Sequence, residues 1–447
     1  MRAAVISFSA VLIASTLSAQ TSAPSSTANL PANERLVLFD ALCKGLRDNY
    51  PMLEFAGWQD SWEAEFRARV QAAPSVEAAY DLMDELVCRL NDYHTRLFRR
   101  DQPHTTRPNF QVEPVLTAPP APGGYGIWSE LRPPFEMPAL EGVTLAVVRS
   151  EESGTMKAGD EIIAVNGVSV EKALSAAWKH SIGCSVAGKL RWAAMRMLSV
   201  PESHSLEVKV RRKGGTEAVV KPRLGGGDGE PTLSTNEIAG VPIIRIARWN
   251  GRDLVSQFDG FLEKFRTRPG LVIDVRGNGG GEDELASQII GRFVNKPVIS
   301  SISFHRVVPG LTFERTVEYT PPRGPWRYEG RVAILVDEGC MSACEHFVSG
   351  MIEAGALACG TPTSGACGWI RGIQLAEGVR LNVSQTFPLH TAGIPSPQLG
   401  IAPHLWALQT LDDLRGGKDT ALEKAIGWIK SPDPLPTRLQ PMTPFSR

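Results

Sequence analysis

The stretch that decides the fold is RVAILVDEGCMSACEHFVSGMIEAG, residues 331–355. It opens on a continuous apolar run of the kind that is buried on both faces of a parallel sheet. From residue 343 onward, apolar side chains recur at the i, i+3, i+4, i+7 and i+8 positions of a helix, namely Cys344, Phe347, Val348, Met351 and Ile352. A buried strand followed at once by an amphipathic helix predicts an α/β fold with a largely parallel sheet.

Ser342 lies at the junction between this strand and this helix and has two interpretations. Ser342 and Glu345 form the S-x-x-E pattern of a helix capping box, which would make the serine an architectural residue. A serine in this place can also be a nucleophile, because the N–H of Ala343 and the helix dipole favour negative charge beside it. Taken alone, the pattern favours the cap.

The same alternation of strands and helices begins near residue 240. VPIIRIARW (241–249) and GLVIDV (270–275) are typical of strands, and DLVSQFDGFLEKFRTR (253–268) and EDELASQIIGRFV (282–294) are typical of amphipathic helices. We therefore predict an α/β domain over residues 235–412, followed by a C-terminal helix and tail over 413–447.

Two smaller units precede this domain. Helical periodicity in NERLVLFDALCKGLRDNYP, SWEAEFRARVQAA and SVEAAYDLMDELVCRL predicts an N-terminal helical domain over residues 31–100. After a proline-rich entry, short strands and turns predict a β-rich unit over residues 106–229. Its clearest signals are an Asn-Gly turn at Asn166 and a hairpin around Gly214.

The first residues have the pattern of a secretory signal peptide. MRAAVISFSAVLIASTLSAQ combines one arginine, an apolar run and a small-residue site, which predicts cleavage after Ala19 and an exported, periplasmic or secreted protein. A membrane anchor is the alternative, but the run is short for a span. No later segment approaches that length, so no membrane span is expected in the mature chain. The net charge of -1, from 47 basic and 48 acidic residues, gives no reason to expect nucleic acid as a partner.

Seven cysteines permit disulfides in an exported chain, and the odd count leaves one unpaired. Cys43 and Cys88 fall on separate predicted helices and could pair. The other cluster has a C-x3-C…C-x7-C spacing that matches zinc templates poorly, so a disulfide or plain burial is expected for its members, Cys340, Cys344, Cys359 and Cys367. No metal and no organic cofactor is predicted.

A glycine-rich turn follows the strand GLVIDV in the sequence RGNGGGEDE, residues 276–284. Consecutive glycines let backbone N–H groups approach a ligand closely, so this turn could bind a phosphate or a developing oxyanion. The G-K-[S/T] of a nucleotide-binding loop is missing. A flexible tight turn is the alternative.

A nucleophilic serine needs a base, and the residues offer several. The lysines after Ser342 all lie in or near the last predicted helix: Lys418, Lys424 and Lys430. Three histidines also follow the serine: His346, His390 and His404. His346 is four residues along the same helix, about one turn too deep. The upstream His94, in LNDYHTRL, follows a predicted helix in a polar setting. On residue types alone, none of these is preferred.

Four stretches in order resemble the tail-specific, or C-terminal processing, serine protease family (peptidase family S41): GLVIDVRGNGGG, RVAILVDEGCMSACEHF, GTPTSGACG and GIAPH. LNDYHTRL resembles the family's Asp-x-His-[Ser/Thr] segment, and residues 159–167 resemble its PDZ-like module. The resemblance implies a ClpP/crotonase-like parallel-sheet catalytic domain with Ser342 as the nucleophile. It also implies an oxyanion hole from the amides of Gly280 and Ala343, with Gly279 as the alternative. Asn278 and Glu345 are candidate supporting residues.

One departure from the family pattern selects the branch. The lysine of the Ser/Lys branch is matched here by Ala366 or Cys367, so the chain resembles the tricorn-like Ser/His branch more closely. That resemblance makes His94 the leading base. The acid that usually orients the histidine has no counterpart near Gln398 or His404, and Glu377 or Asp92 could substitute.

The signal-peptide pattern and the resemblance together predict an exported serine peptidase, whose PDZ-like unit could capture a peptide or protein substrate by its C-terminus. The alternative is a non-catalytic protein of the same fold that binds a peptide or an apolar ligand. Substrate sequence and oligomeric state are not predicted.

Overall fold

This computed structural model describes residues 32–53, 56–100, 105–120, 124–130, 135–150, 155–225, 230–306, 312–366, 368–389 and 399–437. The expected signal peptide over residues 1–19 lies outside these ranges. No helix in the described ranges combines the length and the apolar character that a membrane crossing requires.

The N-terminal unit is helical, as predicted. Its core is a three-helix cluster that buries Phe39, Leu42, Phe66 and Leu86 completely. The third helix begins after Ser75, whose hydroxyl accepts the N–H of Ala78. The elements of this unit are α1 (Ala32–Asn49), α2 (Asp60–Gln71), α3 (Val76–Cys88) and the strand β1 (Arg96–Arg99).

The second unit is a mainly antiparallel sheet with two helices. The predicted Asn-Gly turn is present, with both Asn166 and Gly167 at positive φ. Five strands lie in the order β3-β4-β5-β8-β9, with β6 paired to β5. The elements are β2 (Thr105–Thr106), β3 (Phe110–Leu116), β4 (Val143–Ser150), β5 (Glu161–Val165), β6 (Val168–Ser169), α4 (Val170–Trp178), α5 (Val186–Met197), β7 (Val200–Pro201), β8 (Val208–Arg211) and β9 (Glu217–Val220).

The third unit contains the parallel sheet. Its elements are β10 (Leu233–Ile238), β11 (Val241–Ile246), α6 (Leu254–Lys264), β12 (Gly270–Asp274), α7 (Asp283–Ile290), β13 (Val298–Arg306), β14 (Phe313–Thr320), β15 (Arg331–Val336), α8 (Ala343–Glu353), β16 (Leu357–Gly360), β17 (Ile370–Ala376), β18 (Val379–Ser384), β19 (Thr386–Leu389), β20 (Leu405–Trp406), α9 (Leu411–Arg415) and α10 (Thr420–Lys430).

Six strands form this sheet in the order β10-β11-β12-β15-β16-β20, and every pair except β10–β11 is parallel. Alternate residues of β12 enter opposite layers: Leu271 and Ile273 pack with α6, α7 and α8, whereas Val272 packs with α10. Burial on both faces explains why the strands read as continuous apolar runs. The predicted α/β class is confirmed.

Two long-range features were not predicted. The hairpin of β13 and β14 joins β19 in a separate three-stranded sheet. The hairpin of β17 and β18 pairs with β1, so a strand of the N-terminal unit completes a sheet formed near the other end of the chain.

The cysteines of the described residues are buried free thiols. The pairing considered for Cys43 and Cys88 is therefore wrong, because each packs in its own apolar surroundings. Burial raises the pKa of Cys43 to about 12, which keeps this thiol protonated and inert. Cys367 lies outside the described residues.

Candidate active site

Strands β12, β15 and β16 end at the same edge of the parallel sheet, where α/β folds bind their ligands. Ser342 lies there, one residue before α8, with φ 56 and ψ -124. This left-handed conformation is strained for a residue with a Cβ, and such strain is concentrated at functional sites. The side chain of Ser342 makes no capping hydrogen bond to the helix, so the capping-box interpretation is wrong.

Glu345 is buried and binds a neighbouring loop rather than the start of its own helix. Its Oε1 accepts the hydroxyl of Thr363 at 2.5 Å and the N–H of Gly365 at 2.8 Å. Its Oε2 accepts the N–H of Ala366 at 2.8 Å. The carbonyl of Ala366 in turn accepts the N–H of Ser342 at 2.8 Å. Glu345 therefore supports Ser342 through the 363–366 loop.

The glycine-rich turn packs directly against the serine. A Cβ on Gly280 would lie 2.8 Å from the Cβ of Ser342 and 2.8 Å from the carbonyl oxygen of Met341, and Gly280 has φ +96. Only glycine fits this close approach. Asn278 is fully buried and ties the turn together: its Nδ2 donates to the carbonyl of Ile246, and its own carbonyl accepts the N–H of Met341.

The backbone donors near Ser342 differ in their availability. Within the described part of the chain, the N–H groups of Ala343 and Gly279 have no acceptor. The N–H of Gly280 donates to Oδ1 of Asn278 at 3.0 Å. Of the three amides predicted for the oxyanion hole, those of Ala343 and Gly279 are thus free, whereas the N–H of Gly280 is already bonded to Asn278.

A buried carboxylate, Asp337, joins the two loops of the site. Its Oδ1 accepts the N–H of Gly277 at 2.7 Å and that of Gly339 at 3.0 Å. Arg191, on α5 of the β-rich unit, donates to Oδ2 at 2.7 Å. Burial alone would raise the pKa of Asp337, but Arg191 and the Gly277 amide outweigh it and hold the pKa below its usual range. The carboxylate is therefore ionised at neutral pH.

Glu338 follows Asp337 in the chain, and its pKa is shifted in the opposite direction. Its Oε1 is buried without a hydrogen-bond partner in the described structure. Burial, and then the charge of Asp337, raise the pKa of Glu338 to about 8. Glu113 on β3, whose Oε1 lies 3.0 Å from Arg191, also has a raised pKa because it is buried. Arg191 contacts Asp337 and Glu113, and the neighbouring Glu338, with its pKa raised to about 8, keeps its proton at neutral pH.

Glu113, Asp337 and Glu338 line a cavity of about 390 Å³ between the β-rich unit and the sheet edge. The other charged groups of its wall are already in ion pairs, such as Arg276 with Asp274 and Asp419. In the described ranges, no three His, Cys, Asp or Glu side chains converge to form a metal site.

His94 lies in a turn just before β1. Asp92 builds this turn, because its Oδ1 accepts the N–H of His94 at 2.9 Å and its Oδ2 accepts the hydroxyl of Thr95 at 2.8 Å. The Nδ1 atom of His94 is buried and has no partner among the described residues. A buried polar atom without a hydrogen-bond partner lowers the stability of the fold, which is not expected of a residue with a purely structural role.

The flanking residues bring the His94 turn and the serine together. Tyr93 packs in a small apolar cluster with Ala366, and Met341 packs against that cluster. Tyr93 and Met341 are the neighbours of His94 and Ser342 in the chain, and Ala366 binds the backbone of Ser342. Ala366 is fully buried at the place that the resemblance gives to a lysine, beside the residue that precedes His94.

Most of the other candidate bases have separate structural partners among the described residues. His346 lies 2.8 Å from the hydroxyl of Ser287, and burial lowers its pKa. Nδ1 of His404 accepts the N–H of Ala358 at 2.9 Å. Lys418 forms an ion pair with Asp413, and Lys424 donates to the carbonyl of Trp406. Lys430 is the last residue of α10. His390 lies outside the described residues.

Neither acid considered for the third catalytic position is placed to orient the imidazole. Asp92 uses both carboxylate oxygens to build the turn around His94. Glu377 is exposed in the turn between β17 and β18, next to Val379, which pairs with Arg99 at the far end of β1 from His94. Gln398 lies outside the described residues.

Sequence reasoning missed Asp337, Arg191 and Thr363. Asp337 carries a weak signal, since it is the first polar residue after a buried strand. Arg191 carries none, because 146 residues separate it from Asp337.

A strained serine between a buried strand and a helix, with free amides and a histidine turn beside it, defines the class of serine hydrolases. Residues 240–405, which contain most of the parallel sheet and Ser342, match the model of peptidase family S41, so this part of the chain is a serine-type peptidase domain. No curated protein matches the chain in sequence.

Solved structures resemble the chain over most of its length. Mature CPAF complexed with lactacystin has a TM-score of 0.67 at 15% identity, covering 89% of this chain and 98% of that one. A putative peptidase from Parabacteroides merdae has a TM-score of 0.57 at 16% identity, covering 91% and 98%. The photosystem II D1 C-terminal processing protease has a TM-score of 0.51 at 17% identity, covering 92% and 100%. At these identities the similarity establishes the fold alone.

Proposed function

We propose that this peptidase cleaves peptide bonds by attack of the Ser342 hydroxyl, with His94 as the general base. The observation that carries the proposal is the conformation of Ser342: φ 56 and ψ -124, with Gly280 packed against it. A strained residue persists only where its surroundings hold it, and here Glu345, Ala366 and Gly280 do so.

The reaction needs a proton acceptor within reach of the serine. Among the candidate histidines, His94 has a ring nitrogen that is free to accept a proton, since its Nδ1 has no hydrogen-bond partner in the described structure. In the proposed mechanism, His94 takes the hydroxyl proton as Ser342 attacks the carbonyl carbon, and it returns that proton to the leaving amine. Water then attacks the acyl-enzyme with the same histidine as base.

Negative charge on the carbonyl oxygen needs fixed donors in the transition state. The N–H of Ala343 is the first donor, and it lies at the positive end of the α8 dipole. The glycine-rich turn supplies the second, from Gly279 or from a Gly280 amide released by Asn278. Asp337 fixes the glycine-rich turn relative to the loop before Ser342, because one of its oxygens accepts an N–H from each.

We also propose that the β-rich unit acts as a PDZ-like module that binds the C-terminus of a peptide or protein substrate, and that the protein is exported. Residues 125–128 of this unit pack against the catalytic unit: Tyr125 stacks on Trp406 at 4.1 Å, and Trp128 is buried. A module docked in this way would deliver a bound chain toward the sheet edge that carries Ser342.

A fluorophosphonate probe tests the nucleophile, because it labels only an activated serine. We expect the full-length protein to be labelled and Ser342→Ala not to be. His94→Ala should lower both labelling and peptide hydrolysis by at least about a hundredfold, whereas the matched variant His346→Ala should stay within a few-fold of wild type. A folded wild-type protein that is never labelled would favour the alternative, a binding protein of the same fold. Full hydrolysis by folded His94→Ala would exclude His94 as the base.

A further inference from the structure

The sheet formed by β1, β18 and β17 has one buried and one open face. On the buried face, Leu97, Val379, Leu381 and Val383 join the core of the N-terminal helices. The open face is defined by register: Arg96 lies opposite Asn382, which pairs with Gly372, and Phe98 lies opposite Arg380, which pairs with Gln374. We call it the arginine face. Phe98 is 40% exposed there, a high value for an aromatic side chain.

Three arginines give this face a positive charge. The guanidinium group of Arg380 lies 5.4 Å from the ring centre of Phe98, and that of Arg96 lies 5.0 Å from the ring of Tyr93. Arg100 is exposed in the turn that follows β1, where its N–H donates to the carbonyl of Gly378. In the described parts of the chain, none of the three lies within 4 Å of a carboxylate, although ion pairs occupy exposed arginines of the β-rich unit such as Arg149 and Arg211.

The arginine face begins at the active site. Arg96 is two residues after His94, and Ile370, at the start of β17, is four residues after Ala366, which binds Ser342. Trp369 and Ile370 are 60% and 49% exposed at this end. At about 3.3 Å per residue, the row from Arg96 to Arg100 extends roughly 13 Å away from the site. An extended chain in the active site would therefore place its flanking residues over the arginines.

We propose that the arginine face selects polypeptide substrates that carry acidic residues a few positions from the cleaved bond. Aspartate and glutamate side chains fit the surface because arginine binds carboxylates in a bidentate manner, and aromatic stacking pre-orients the guanidinium groups of Arg96 and Arg380. The proposal rests on Ser342 and His94 as the catalytic pair, since it describes the substrate of that site. It concerns the segment beside the cleaved bond and not the C-terminus bound by the β-rich unit.

The test uses fluorogenic peptides with one cleavable sequence, flanked on either side by Glu-Asp-Glu or by Gln-Asn-Gln. We expect kcat/KM for one of the acidic peptides to exceed that of its neutral counterpart about tenfold at low salt, and the ratio to approach one at about 0.5 M NaCl because salt screens exposed charges. Arg100→Glu/Arg380→Glu should abolish or reverse the preference. The double variant Lys172→Glu/Lys213→Glu, at two exposed lysines of the β-rich unit, makes the same charge change elsewhere and should retain the preference.

Binding to the Ser342→Ala protein separates the two proposals. If wild type cleaves acidic and neutral peptides equally on both sides, the arginine face does not select substrates, although the serine peptidase proposal stands. If no peptide is cleaved but the inactive protein binds a fluorescent acidic peptide in an Arg380-dependent way, the surface is assigned correctly and the catalytic proposal fails. Arg380-dependent binding to phosphatidylglycerol vesicles without any peptide preference would overturn the inference in favour of a membrane surface.

Discussion

Oε2 of Glu345 accepts the N–H of Ala366 at 2.8 Å, and the carbonyl of Ala366 accepts the N–H of Ser342 at the same distance. The first turn of α8 is thus connected to Ser342, the residue before the helix, through Ala366, which lies 21 residues after Glu345 in the chain. Because the other oxygen of Glu345 holds Thr363 and Gly365, one carboxylate fixes the loop that fixes the serine.

Replacing Glu345 with glutamine tests this connection. In the wild type, three donors bond to the two oxygens of the Glu345 carboxylate. Glutamine has only one acceptor oxygen, and its NH2 group would face an N–H or hydroxyl donor, so at least one buried donor loses its partner. We expect kcat to fall at least tenfold and the unfolding free energy to fall by about 2–3 kcal/mol. Urea unfolding and steady-state hydrolysis measure the two effects. The exposed Glu423→Gln is the matched control, and unchanged kcat in Glu345→Gln would contradict the role.

The Glu345 result also shows where sequence reasoning reaches its limit. Strand β15 and helix α8 could be predicted because periodicity is a local property of the chain. Ser342 and the glycine-rich turn could be predicted because they lie at strand ends, where parallel sheets bring loops together. The capping-box prediction failed because a glutamate at this position can accept hydrogen bonds either from the start of its own helix or from a distant loop. In this fold, Glu345 binds the distant loop.

Arg191 illustrates the part of the site that no local pattern reveals. Its pairing with Asp337 depends on how the β-rich unit docks on the parallel sheet, and nothing in the spacing of residues encodes that docking. The pairing of β1 with β18 has the same origin, since its partners lie nearly 300 residues apart.

The backbone strain at Ser342 predicts an unusual order of stability among variants. With φ 56 and ψ -124, glycine is comfortable at this position and alanine is not. Both replacements remove the nucleophile, so they isolate the conformational effect. We expect Ser342→Gly to be more stable than Ser342→Ala by about 1 kcal/mol in urea unfolding, even though glycine increases the entropy of the unfolded chain. The opposite order would mean that the serine is not strained.

The close contact between Gly280 and Ser342 predicts a severe effect of one methyl group. In Gly280→Ala the new Cβ would lie 2.8 Å from both the Met341 carbonyl oxygen and the Ser342 Cβ, at φ +96. We expect a loss of about 3 kcal/mol of stability and at least a hundredfold loss of kcat. Gly279→Ala is the control for stability in the same turn, because a Cβ there meets nothing within 4 Å. Equal stability of the two variants would show that the turn does not pack against the serine.

Glu338 predicts the pH dependence of stability. Burial raises its pKa from 4.5 to about 8 in the folded protein, so between these values the folded state holds a proton that the unfolded state has released. Its stabilising contribution is therefore complete below pH 4.5 and is lost as the pH rises toward 8. Glu338→Gln stays neutral at every pH and removes this loss.

We expect the stability of Glu338→Gln relative to wild type to rise between pH 5 and 8 by about 3 kcal/mol, and to level off above. Urea midpoints across this range measure the difference, and Glu377→Gln, exposed in the turn between β17 and β18, serves as the control with a flat profile. A flat profile for Glu338→Gln as well would mean that Glu338 is ionised in the folded protein, in which case the buried carboxylates near Arg191 must be compensated in another way.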